Sequence, residues 1–136
     1  MVDRRRILVV DDNADAAQSL ALLLKLAGHD VRVAHDGVET LAVASEFEPE
    51  VVLLDLGMPK MDGYETARRL RNESWGRQVM LVALTGWGQQ RDRERTAEAG
   101  FDLHLVKPIA EFELFQAIGT RLSDKPNASG SQRAQR

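Results

Sequence analysis

No cysteine occurs in the 136 residues, so disulfides, thiol chemistry and cysteine-ligated metal sites are excluded, and a cytoplasmic setting is favoured. No apolar stretch approaches the roughly 18 residues of a membrane span, so no membrane partner is expected. The basic start, Met1 to Arg6, is followed only by the short run Ile7 to Val10, which is too brief for a signal peptide. There is no Walker loop and no kinase-type glycine-rich loop, so a nucleotide held by its phosphates is not expected. A large excess of positive charge is also missing. The net charge is −3; Lys125, Arg133 and Arg136 against Asp124 lie beyond Ser123, which leaves 15 basic and 20 acidic residues in 1–122. That acidic balance predicts no direct nucleic-acid partner.

What is there alternates. Ile7–Val10 is a short apolar run that ends in Asp11-Asp12, and Asp12 or Asn13 can cap the Ala- and Leu-rich segment 14–27, which Gly28 closes. Val31, Val33 and His35 alternate with other residues, as on a half-exposed strand nearer a sheet edge. Val38, Leu41, Ala42 and Ala44 line a second expected helix ended by Pro49. Val51–Leu54 reads as a strand buried on both faces and ends in Asp55. Tyr64, Ala67 and Leu70 face inward on a third helix, and 72–78 reads as a loop. Val79–Leu84 ends in Thr85-Gly86; a charged helix is expected over 89–99. Leu103, Leu105 and Val106 form a fifth strand ending at Lys107-Pro108. Phe112, Phe115, Ile118 and Leu122 stripe a last helix, and 123–136 reads as a disordered tail.

Such alternation implies a parallel sheet with right-handed crossovers and helices on both faces. The fold class is α/β: a flavodoxin-like three-layer sandwich over 1–122, with five strands in the order 2-1-3-4-5 and a ligand crevice beside strands 1 and 3. The continuous apolar runs belong in the middle of the sheet and the alternating second strand at its edge.

The strand ends carry the chemistry. Asp11, Asp12, Asp55, Thr85 and Lys107 all fall at C-terminal ends of strands, hence on one rim. Two carboxylates 4 Å apart repel by roughly 4 kcal/mol at an effective dielectric near 20, so three need compensation. Mg²⁺ prefers oxygen ligands and typically takes one or two carboxylates, water and a phosphate oxygen. Lys107 adds a mobile positive charge and Thr85 a hydroxyl donor. These parts suit phosphoryl transfer to a carboxylate, with Asp55 as nucleophile and the phosphate arriving on another carrier. Taken singly, each has a plainer reading: Asp11-Asp12 as a helix cap, Thr85 as a strand-end residue, Lys107 as a solvated surface lysine. Trp75 reads as a packing lid, Arg4–Arg6 as a solvated lead-in, and His35 as a strand-end residue with no special role.

At this point the chain resembles the receiver (CheY-like) domain of two-component response regulators. The likeness is carried by ILVVDDN (7–13), VVLLDLGMPKMDGYE (51–65), ALTG (83–86) and HLVKPI (104–109). It implies that Asp55 is the phosphoacceptor, fed by a sensor histidine kinase or a histidine phosphotransfer protein. It implies Mg²⁺ ligation by Asp12, Asp55 and the backbone carbonyl of Gly57, with Asp11 acting through water. It implies phosphoryl contacts from Thr85 and Lys107, a cis bond between Lys107 and Pro108, and a switch in the surface made by the 89–99 helix, the fifth strand and the last helix.

Two positions depart from the family pattern. His104 stands where an aromatic switch residue is usual, and its ring can titrate. Gly57 and Trp87 occupy positions that tune loss of the phosphoryl group, and Trp87 is expected to shield it and prolong its life. The stretch around TGWGQ is closer to receivers attached to hybrid kinases than to chemotaxis types. By the same likeness the domain is not an enzyme on other molecules; it catalyses only its own phosphorylation and dephosphorylation. No effector domain comes after it, so output to a downstream protein is expected, unless the chain is a piece of a larger kinase; a homodimer is compatible with this. Three alternatives stay open. A phosphorylation-independent interaction domain is disfavoured by the complete residue set, an aspartyl-phosphate phosphatase by Gly57 in place of a second acid, and a nucleotide-binding flavodoxin-like protein by the missing phosphate loop.

Overall fold

The computed structural model describes residues 4–56, 63–86 and 97–119. Five parallel strands form one sheet in the order β2-β1-β3-β4-β5. They are β1 (Arg6–Val10), β2 (Asp30–Ala34), β3 (Val51–Asp55), β4 (Met80–Thr85) and β5 (Leu103–Val106). Between and after them lie α1 (Ala14–Leu26), α2 (Gly37–Phe47), α3 (Gly63–Asn72), a 3₁₀ turn (Ser74–Gln78) and α4 (Glu111–Gly119). Residues 97–99 are helical and end at Gly100, whose φ is 103°.

The side-chain alternation of each strand divides the core into two layers. Leu8, Val10, Val52, Leu54, Leu81 and Ala83 face α2 and α3 with Tyr64, Ala67 and Leu70. Ile7, Val9, Val51, Leu53, Val82 and Leu84 face α1 and α4 with Ala21, Leu24, Leu114 and Ile118. The three middle strands are buried on both faces, as their unbroken apolar runs require. β2 stands at an edge with only Val31 and Ala34 buried.

The helix ends obey local rules. Asn13 Oδ1 accepts the Ala16 N–H at 3.0 Å and caps α1, and Asp36 Oδ1 accepts the Glu39 N–H at 2.8 Å and caps α2. Gly28 lies just past α1 with φ 104°, in the left-handed region where glycine carries no Cβ strain.

Some helical phases differ from the sequence reading. Val38 is 61% exposed, because α2 starts at Gly37 and buries Gly37, Thr40, Ala44 and Phe47 instead. Phe112 is 71% exposed, because α4 starts at Glu111 and turns Leu114, Ala117 and Ile118 inward. The expected loop 72–78 contains the 3₁₀ turn, whose Trp75 packs on the α2/α3 layer. Arg5 is buried, not solvated, and its backbone N–H donates to His29 Nδ1 at 3.1 Å.

Far from the C-terminal rim, Arg71 ties α3 to the 3₁₀ turn and to the residues leading into β4 and β5. Its guanidinium donates to the carbonyls of Gly76, Arg77, Val79 and Gly100 and, at 2.8 Å, to Asp102 Oδ2. Asp102 Oδ2 also accepts the Leu81 N–H at 3.0 Å. Charge-assisted bonds of this kind are about twice as strong as neutral ones.

Candidate functional site

β1 and β3 pair directly, so Asp11-Asp12 and Asp55 emerge side by side at the C-terminal rim. One carboxylate oxygen from each of Asp11, Asp12 and Asp55 lies within 4.8 Å of the others. Asp11 is buried, Asp12 is exposed, and Asp55 is 9% exposed. Asp11 is held at both ends: its N–H donates to the Ala34 carbonyl at 3.2 Å and its Oδ1 accepts the Asn13 N–H at 3.0 Å. The edge strand and the first turn of α1 therefore aim this carboxylate.

Lys107 arrives from the other end of the chain. Its Nζ lies 3.3 Å from Asp11 Oδ2, a residue 96 positions away, and 3.4 Å from Asp55 Oδ2. Partial burial works against its charge, but the carboxylates of Asp55 and Asp11 outweigh that and hold its pKa above the ordinary lysine value. The backbone places it: the Lys107 N–H donates to the Thr85 carbonyl at 2.7 Å. The Lys107–Pro108 bond is cis, as the family likeness implied.

Thr85 ends β4 beside this group. Its Oγ1 is buried and has no hydrogen-bond partner among the described residues. A hydroxyl in that position is costly unless something else accepts its proton. His104 lies on β5, half-buried, in register with Ala83. Gly57 and Trp87 lie outside the described residues.

Three carboxylates and one ammonium leave the rim about two charges negative, with all donors oxygen. That donor set fits a hard divalent cation and a phosphoryl group, and among the described residues the ligand cluster is all carboxylate oxygen. Asp11, Asp12, Asp55 and Lys107 thus converge, and the Thr85 backbone joins them through its bond to the Lys107 N–H. Gly63 reads in the sequence only as a turn former, yet it touches the end of β3; Asp62-Gly63 signals a turn and nothing in the sequence signals that contact.

The family model for the response regulator receiver domain matches residues 7–119. The chain belongs to that family. Receiver domains are the phosphorylatable modules of two-component signalling, and the 2-1-3-4-5 sheet is theirs. The chain is similar to the DNA-binding dual master transcriptional regulator RpaA of Synechocystis sp., at 33% identity over 83% of this chain and 47% of that protein. It is similar to the DNA-binding response regulator MtrA of Mycobacterium leprae, at 40% identity over 88% of this chain and 52% of that protein. Among solved structures, the receiver domain of a sensor histidine kinase from Pseudomonas aeruginosa aligns with TM-score 0.79 and 30% identity, covering 89% of this receiver and 99% of that one. That structure holds a magnesium ion in its active-site cleft.

The chain spans about half the length of the curated relatives it matches. The expectation of no nucleic-acid partner is corrected by these relatives, which are named as DNA-binding. The acidic balance that prompted it reflects the acids of the phosphorylation rim and the surface of one domain. It carries no information about a DNA-contacting segment elsewhere in a longer protein. Among the described residues, no helix is long and apolar enough to cross a membrane.

Proposed function

We propose that this receiver domain accepts a phosphoryl group on Asp55 from the phosphohistidine of a sensor histidine kinase or a histidine phosphotransfer protein. The observation that carries this reading is the meeting of Asp11, Asp12, Asp55 and Lys107 around one point at the strand ends. An Asp55 carboxylate oxygen attacks phosphorus, an O–P bond forms, and the N–P bond breaks. Its electron pair returns to the imidazole nitrogen, which takes a proton from solvent. Lys107 lies within reach of the incoming oxygens and offsets their charge. Thr85 Oγ1 has its proton available for a phosphoryl oxygen.

Asp12 and Asp55 would hold Mg²⁺ directly and Asp11 through water, with the Gly57 carbonyl completing the set from outside the described residues. When bound, the cation neutralises charge on the acids and the transferring group. The domain catalyses only its own phosphorylation and dephosphorylation.

Phosphorylation adds about −1.5 to −2 charge at the rim. Drawing Thr85 toward that charge shifts an equilibrium in the surface ahead of and along β5, with His104 in the position of the switch residue. The names of the relatives favour an output at DNA in the whole protein.

The test is incubation with acetyl phosphate and Mg²⁺ followed by intact mass. The expected result is a gain of one phosphate that is absent in Asp55→Asn. No gain, or a gain that persists in Asp55→Asn, overturns the reading.

A further inference from the structure

Gly63 is the first residue of α3, and its backbone lies outside the left-handed region, so torsion does not explain why a side chain is absent. Contact does. A methyl group on its Cα would lie 2.8 Å from Leu56 Cα, 2.8 Å from Leu56 Cδ2 and 2.9 Å from the Asp55 carbonyl oxygen. Real Cβ atoms do not approach backbone so closely.

We propose that Gly63 is a positioning residue for phosphoryl transfer to Asp55: its bare Cα lets α3 close onto the end of β3 and so sets where the acceptor carboxylate stands. This rests on Asp55 being the phosphoacceptor.

The surroundings decide what would give way. Leu56 is 4% exposed and its N–H donates to the Leu84 carbonyl at 3.1 Å, so it cannot retreat freely. Asp55 is paired with Leu84 in the sheet. The far end of α3 is fixed too. Ala67 and Leu70 are fully buried, and the Leu70 carbonyl lies so near Gly76 that a Cβ there would sit 1.8 Å away. An added methyl is therefore absorbed at the junction of β3 and α3, which carries Asp55. The Asp55 carboxylate stands 3.4 Å from Lys107 Nζ, and a displacement of a few tenths of an ångström upsets that arrangement. Misplacement by about 1 Å can cost a catalysed reaction about a hundredfold.

The experiment measures phosphorylation of the full chain by intact mass over a range of acetyl phosphate concentrations at saturating Mg²⁺. Conditions are those under which each variant is folded by circular dichroism. Gly63→Ala is expected to lower the maximal rate at least tenfold and leave the half-saturating donor concentration within twofold. Gly119→Ala, which meets open space, leaves both unchanged. Leu114→Ala removes a buried side chain from the opposite layer; it lowers stability without lowering the rate of the folded protein. Adding Leu56→Ala to Gly63→Ala relieves only the Cδ2 contact, so the rate stays low.

A wild-type rate in Gly63→Ala, or full recovery in the double variant, overturns the proposal. If Gly63→Ala unfolds, the rate is read after refolding in trimethylamine oxide, with wild type in the same solution, and the same two outcomes decide. A wild type that takes no phosphate on Asp55 defeats the proposed function itself. A phosphorylated wild type with an equally fast Gly63→Ala defeats only this inference.

Discussion

Lys107 Nζ sits 3.3 Å from Asp11 Oδ2 and 3.4 Å from Asp55 Oδ2, so one ammonium spans carboxylates supplied by β1 and β3. Replacing it with methionine keeps the apolar stem and removes the charge. Lys107→Met is expected to retain Mg²⁺ binding by titration calorimetry and to take phosphate from acetyl phosphate at most a hundredth as fast. A rate within threefold of wild type would show that the ammonium only balances charge at rest.

The acid cluster is expected to make stability depend on divalent cation. A ligand that binds only the folded chain adds about 2.7 kcal/mol at a hundred times its dissociation constant. Mg²⁺ is expected to raise the thermal midpoint, and Asp12→Asn to abolish most of that rise. Scanning calorimetry with and without Mg²⁺ checks it; an equal rise in the variant would remove Asp12 from the ligand set.

Arg71 and Asp102 form a dense polar junction at the opposite end of the sheet. The Asp102 side chain is fully buried, so Arg71→Ala strands a carboxylate. Breaking a buried pair on one side costs about 3–5 kcal/mol. Urea denaturation is expected to show a loss of that size. Arg71→Lys is expected to recover only part of it, since an ammonium cannot reach four carbonyls and a carboxylate at once.

His29 links stability to pH. Burial lowers its pKa, the charge of Arg5 lowers it further, and Glu50 opposes both. The folded chain thus prefers the neutral ring, whose Nδ1 accepts the Arg5 N–H. The contribution is fully present above the unfolded pKa of about 6.5 and is lost as pH falls through the lowered folded value. Between pH 7.5 and 5.5, wild type is expected to lose more stability in urea than His29→Asn. Parallel losses in the two proteins would count against this linkage.

Strand order and the meeting of the three acids with Lys107 were legible because both depend on coarse signals. Unbroken apolar runs such as Val79–Leu84 are buried on both faces only in the middle of a parallel sheet, and polar residues just after them must share a rim. Helical phase was less legible. Val38 and Phe112 are apolar, but each lies on the side of its helix turned away from the inward stripe, and only the true first residue of the helix fixes that phase. Phe112→Ser is accordingly expected to change stability by less than about 0.5 kcal/mol in urea denaturation. The buried Arg5 and the contact at Gly63 were not legible, since both arise from close approach between segments distant in sequence or turned back on themselves.

The partner that compensates Asp11 is separated from it by 96 positions. A ribosome therefore releases the acids of β1 and β3 long before Lys107 emerges. Until the fifth strand docks, the nascent domain holds like charges with no ammonium between them. Docking of the fifth strand therefore brings Lys107 to the acids of β1 and β3, so the charge balance of the rim and the sheet itself are completed together.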